Sequence, residues 1–154
     1  MQLLTQRAIF EVMNAPVKQA PALLFESATG QVLADPAGFL RLLWRAHPRQ
    51  LADTQALLRA VSLHLRQQGW GRVLADQTHM PPFSPDEQHW ITQEWLPNDA
   101  SVSGYRHGAI VVSSQVLSRL ATAYITGSQP ATGPRYRSFD DEATAVAWLL
   151  RQPG

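Results

Sequence analysis

Apolar positions along this chain keep two rhythms, and the change from one to the other organises the whole sequence. Between residues 22 and 45 the segments ALLFES, QVLA and FLRLLWR are separated only by the short breaks ATG and DPAG. Breaks of this length close hairpins and cannot hold a parallel crossover, so the three segments predict an antiparallel meander. Gly30, in the first break, is expected to supply a positive φ. Strand alternation should turn Arg41 away from Leu40 and Leu42.

After HPRQ the spacing becomes helical. LADTQALLRAVSLHLRQQ sets Leu57, Leu58, Val61 and Leu65 on one face, with Gly69 as the C-terminal stop. RVLAD then reads as a short buried strand, SPDEQHWITQEWL as a helix ended by Pro97, and HGAIVVSS as the most strand-like segment. QVLSRLATAYI is the next helix, with Val116, Leu120 and Tyr124 in line as its apolar face. YRSF is a last strand, and DDEATAVAWLLRQ a last helix with Val146, Leu149 and Leu150 inward. Trp95, four residues after Ile91, is expected to anchor the core. The order β-β-β-α-β-α-β-α-β-α predicts an α/β domain: a mixed sheet with an antiparallel N-terminal meander followed by βα units. One domain spans residues 22–152. Residues 1–21 carry Pro16 and Pro21 and form an N-terminal arm or an extra element, and GSQPATGP, residues 127–134, is a surface loop.

Composition narrows the function classes. The chain has 154 residues, of which 45% are hydrophobic, enough for one domain with a substantial core. Its 13 basic residues oppose 12 acidic ones, leaving a net charge of +1 and no field for a phosphate backbone. Nucleic acid is therefore not expected as a partner. Cysteine is absent, which removes disulfides, thiolate metal sites and a cysteine nucleophile. No apolar run suits stable membrane insertion, and the N-terminus lacks the unbroken apolar segment of a signal peptide, so a cytoplasmic setting is expected.

Candidate chemistry concentrates in VLADQTHMPPFSPDEQHWITQEWLP, residues 73–97. Ser84, Pro85 and Glu87 have a complete local reading: Ser84 and Glu87 close a capping box, Pro85 takes the first helical position, and Asp86 favours the helix dipole. Asp76, at the carboxyl end of a strand, could cap the next turn, contact a ligand or take part in catalysis. His79 and His89 lie near it in sequence, yet the five histidines form no zinc pattern, and a site needs three or four convergent ligands. Gly-x-Ser-x-Gly and the glycine-rich phosphate cradles are absent. The search leaves no catalytic residue, cofactor or metal ligand to assign, and the chain is not expected to be an enzyme.

RVLADQTHMPPFSPDEQHWITQEWLP, then YRHGAIVVSS, then YRSFDDEATAVAWL carry a family resemblance. Across residues 22–152 the chain resembles bacterial proteins related to the anti-sigma factor antagonist fold, the STAS-like group, which has CRAL-TRIO-like lipid-binding connections. The resemblance implies helices packed chiefly on one face of the mixed sheet, and a regulatory, partner-switching role. In phosphorylatable antagonists an Asp-Ser signature before a helix accepts phosphate. Here Asp76-Gln77-Thr78-His79 stands in that region without Asp-Ser, and Thr78 is the hydroxyl that could replace it.

The expectation is therefore a non-catalytic protein-interaction or regulatory domain, contacting its partner through Asp76, Thr78, His79, Ser84 and Asp86. The alternative is a small-molecule or lipid-binding protein, with a pocket between the meander and the helices and room for enzymatic use. Homodimerisation through FLRLLWR or an uncovered sheet face is compatible with both.

Overall fold

The computed structural model describes residues 19–154, so the expected arm, 1–21, lies almost wholly outside the described residues. Three antiparallel strands open the domain: β1 (Ala22–Glu26), β2 (Gly30–Asp35) and β3 (Phe39–Trp44). Helix α1 (Leu51–Gln68) leads to β4 (Arg72–Asp76). A long helical stretch follows, comprising α2 (Pro85–Trp90), a π-helical segment (Ile91–Ala100) and a closing turn, α3 (Ser101–Ser103). Then come β5 (His107–Val111), α4 (Val116–Gly127), β6 (Arg135–Phe139) and α5 (Glu142–Leu150).

The six strands lie in sequential order, β1 to β6, and β3 to β6 are parallel. The meander followed by alternating βα units is the architecture that the two rhythms predict. Leu40, Leu42, Val73, Ala75 and Ile110 face the main core, where Leu57, Val61 and Leu65 of α1, Ile91 and Trp95 of the π segment and Ile125 of α4 cover them. One crossover hand repeated along a sequential sheet places every crossover helix on one face. Among the described residues the opposite face is covered by α5, through Phe39, Leu74, Ala109, Val111, Ala145 and Leu149. Arg41 points to that second side and meets Asp35 at 2.7 Å, while Leu40 and Leu42 enter the main core.

Four local expectations need correction. Gly30 does not adopt a positive φ; within the meander it is Gly38, in the second break, that does, at 96°. Gly30 begins β2, and a Cβ there would run into the carbonyl oxygen of Leu43, so close approach is what requires it. Pro97 does not end its helix. Proline removes one N–H and crowds the preceding turn, and the wider π winding accommodates it inside the helix. Leu150 is exposed, because Ala145 and Leu149, one turn apart, already supply the buried face of α5. Finally, the expected apolar face of α4 exists but is turned to solvent, for reasons that belong to the site.

Candidate functional site

At the carboxyl end of β4, Asp76 is committed locally. Its Oδ1 accepts the Thr78 N–H at 3.0 Å and the Thr78 hydroxyl at 2.5 Å, an Asx turn. The Gln77 N–H extends the β4–β5 ladder to the Val111 carbonyl, and the Met80 N–H donates back to the Gln77 carbonyl. Thr78 and His79 are therefore the exposed tip of a tight turn, while Gln77 and Met80 on either side are buried.

The chain then enters α2 through the capping box read from sequence. Ser84 Oγ accepts the Glu87 N–H at 3.1 Å, and Glu87 Oε1 accepts the Ser84 N–H at 2.9 Å. Ser84 and Asp86 are exposed at this helix start. Glu87 has a second role with no local sequence signal. It is buried and takes Arg49 bidentately, at 2.9 and 3.1 Å, together with the Thr54 hydroxyl. Arg49 also donates to the carbonyls of Pro81 and Pro82, and its guanidinium lies 5.4 and 5.2 Å from the rings of Trp44 and Phe83. Burial pushes the Glu87 carboxyl upward, but the bonds from Arg49, Ser84 and Thr54 outweigh this and hold it below its ordinary range. The loop carrying Thr78 and His79 is thus pinned at both ends.

That loop decides which way α4 faces. Ser118 donates its hydroxyl to the Met80 carbonyl at 3.2 Å, and Thr122 donates to the Gln77 side-chain carbonyl at 2.7 Å. Leaving those buried acceptors unmet would cost about 1–3 kcal/mol each. The hydroxyl-bearing face of α4 therefore turns inward with Ala121 and Ile125. Its larger apolar side chains turn outward: Val116, Leu117, Leu120 and Tyr124 are 68, 70, 61 and 62% exposed. They form a stripe along the helix, and the Met80–Ser118 bond ties its base to the Thr78–His79 tip.

Two cavities complete the picture. A small void of about 50 Å³ lies between sheet and helices, lined by apolar side chains with Gln77, Thr122, Tyr105 and Tyr136 at its margin. A larger cleft of about 410 Å³ opens between the π segment and the 128–134 loop, and is mostly polar, with Gln93, Ser101, Arg106 and Gln129 on its walls. Tyr105 borders both. Burial raises the phenols of Tyr105 and Tyr136 well above the ordinary value, so both stay neutral.

Of the five residues read from sequence as a contact surface, Thr78, His79, Ser84 and Asp86 are exposed, and Asp76 is half-buried beneath Thr78. Among the described residues no three His, Asp or Glu side chains group as metal ligands, and no helix is long and apolar enough to cross a membrane. FLRLLWR forms the interior strand β3, paired on both sides, so it offers no free edge. Leu117 and the outward direction of the α4 stripe were not legible locally. A usable signal was present, since Ser118 and Thr122 share one face of a helix whose other positions are largely apolar. No family model, curated protein or solved structure matches the chain.

Proposed function

We propose that this domain is a non-catalytic protein-interaction module of regulatory type, docking its partner on the outer face of α4 and the adjoining Thr78–His79 tip. The carrying observation is the stripe of Val116, Leu117, Leu120 and Tyr124, four large apolar side chains left in water on one helix. Apolar surface gathered in this way marks interaction sites, whereas singly scattered leucines do not. The rigid support beneath it, through Ser118, Thr122 and the Arg49–Glu87 pair, suits a surface that must hold its shape. The kinship to the STAS-like group and the partner-switching role belong to this proposal. They are supported by the mixed sheet, the crossover helices on one face and the position of the Asp76–His79 loop. Phosphate on Thr78 would break its bond to Asp76 and place negative charge beside that carboxylate, which gives the tip a means of control.

The alternative of a small-molecule or lipid ligand finds some support in the void, which has polar groups at an apolar wall. At about 50 Å³ it is far below the roughly 300 Å³ at which small-molecule sites begin, and the cleft of about 410 Å³, which reaches that size, is mostly polar and lies beside the 128–134 loop, away from the meander, so the interaction reading is preferred.

Affinity capture from the native host, comparing the wild-type chain with Leu117→Ser/Leu120→Ser, tests the proposal. A protein retained by the first and lost by the second is expected, with thermal unfolding of the two baits unchanged. Identical companions for both baits would exclude α4 as the docking face.

A further inference from the structure

We infer that the cleft between the π segment and the 128–134 loop binds a small polyhydroxylated oxyanion, a sugar phosphate or a sugar acid, with Arg106 taking the anionic group. This site is separate from the α4 stripe, none of whose residues line it, and does not rest on the docking reading.

The cleft has the size of a ligand site and the wrong surface for an apolar one. Its volume of about 410 Å³ falls within the roughly 300–1,000 Å³ of small-molecule pockets, yet its walls are mostly polar. An occupant must therefore carry polar groups of its own to replace the water it displaces. Both walls are preformed. In the loop, the Ser128 hydroxyl and the Gln129 amide donate to the Ile125 carbonyl at 2.7 and 3.4 Å. The Gly133 N–H closes a turn onto the Pro130 carbonyl at 2.9 Å, and Pro130 and Pro134 fix φ on either side. Opposite, Gly104 at φ 89° turns the chain from α3 into β5 and brings Arg106 to the cleft.

Charge sets the sign of the ligand. Arg106 is the one formally charged residue lining the cleft. Arg135 adjoins it, its N–H donating to the Arg106 carbonyl at 2.9 Å. Among the described residues no carboxylate pairs with either guanidinium. The imidazole of His107 registers the excess: burial first, then Arg135, Arg106 and Arg72, hold it below its ordinary value. A cleft of one sign attracts the other, and a guanidinium fork matches the paired oxygens of phosphate or carboxylate.

A bare anion would leave the remaining wall unread. Gln93, Ser101 and Thr132 line it with amide and hydroxyl groups. The π winding adds an acceptor. Pro97 has no N–H, and the carbonyl five residues before it, the partner in π winding, belongs to Thr92. Thr92 and Pro97 both line the cleft, so that carbonyl lacks its ladder donor where a ligand hydroxyl can supply one. One cation with several neutral donors and acceptors fits one anionic group on a chain or ring of hydroxyls.

Titration of the full chain with the terminal phosphate esters of glucose and ribose, and with gluconate and glucuronate, tests the inference through amide NMR shifts. At least one should bind saturably, moving the amides of residues 92–93, 101–106 and 128–134. Binding by the esters alone would assign phosphate as the anionic group, and binding by the acids alone, carboxylate. Free glucose and inorganic phosphate each lack half of the recognised chemistry and should bind about 10-fold more weakly or worse. Arg106 is exposed, so Arg106→Gln should keep the wild-type thermal unfolding while weakening binding about 10-fold or more. Arg119→Gln removes the same charge from α4 and should bind as wild type. Gln93→Leu should weaken the hydroxylated ligand and leave inorganic phosphate unaffected. No saturable binding by any of the four compounds would overturn the inference, as would shifts confined to other surfaces. Undiminished binding by Arg106→Gln, or glucose or inorganic phosphate binding as tightly as the best compound, would do the same.

Discussion

The Glu87 carboxylate closes the cap of α2 and neutralises a buried arginine at the same time. Because Arg49 and Glu87 are 2% and 5% exposed, neither charge can turn to water when the other is removed. Glu87→Gln should therefore cost about 3–5 kcal/mol of folding stability, read from urea denaturation. The folded carboxyl titrates below its ordinary value of 4.5, so its contribution is complete above that pH and is lost as pH falls through the lower folded value. The wild-type urea midpoint should decline over that acid range, and this part of the decline should vanish in Glu87→Gln. His107 behaves in the opposite chemical sense. Burial, then the guanidinium groups of Arg135, Arg106 and Arg72, hold its imidazole below 6.5. The unfolded chain binds a proton there first, so stability contributed by neutral His107 is full above 6.5 and falls as pH drops through the folded value. An NMR titration should place the His107 midpoint below 6.5, and Arg135→Ser should move it upward. The capping box was fully legible because its partners sit three residues apart. Arg49 was not, since its acceptors arrive from residues 81, 82 and 87 only after the chain has folded.

Among the elements, α4 best separates local pattern from tertiary demand. Its apolar spacing correctly announces a helix but not its orientation, because two faces carry apolar residues. Orientation follows from two buried acceptors, Met80 and Gln77, which lie 38 and 45 residues earlier than the hydroxyls that satisfy them. Ser118→Val/Thr122→Val would make the inward face more hydrophobic yet strand both acceptors. The double variant should lose about 2–6 kcal/mol, whereas Leu117→Ser on the outer face should stay within about 0.5 kcal/mol of wild type. Chemical denaturation of the two variants checks the contrast. Helix α1 posed no such ambiguity: Leu57, Leu58, Val61 and Leu65 make one face, and all four are buried. Pro97 misled for another reason. The rule that proline stops a helix assumes α winding, and the segment from Ile91 to Ala100 is wound as a π-helix.

At the scale of the molecule, short hairpin breaks and long crossovers were enough to anticipate three antiparallel strands followed by a parallel run. They do not reveal that α5 would cover the second side of the sheet, where Ala145 and Leu149 meet Phe39, Leu74, Ala109 and Val111. That contact depends on which way the chain turns after Phe139, and hairpin and crossover lengths do not specify it. Nor does any sequence pattern disclose an imperfect fit between two well-patterned layers. The void beside Ala75, Val61 and Ile110 is such a misfit. Hydrostatic pressure favours whichever state occupies the smaller volume, and unfolding removes the imperfectly packed space between the two layers. Compression at constant temperature should therefore unfold this domain cooperatively, with Trp44 and Trp95 at the void reporting the transition by fluorescence. Ala75→Val, which narrows the space, should shift the transition to higher pressure.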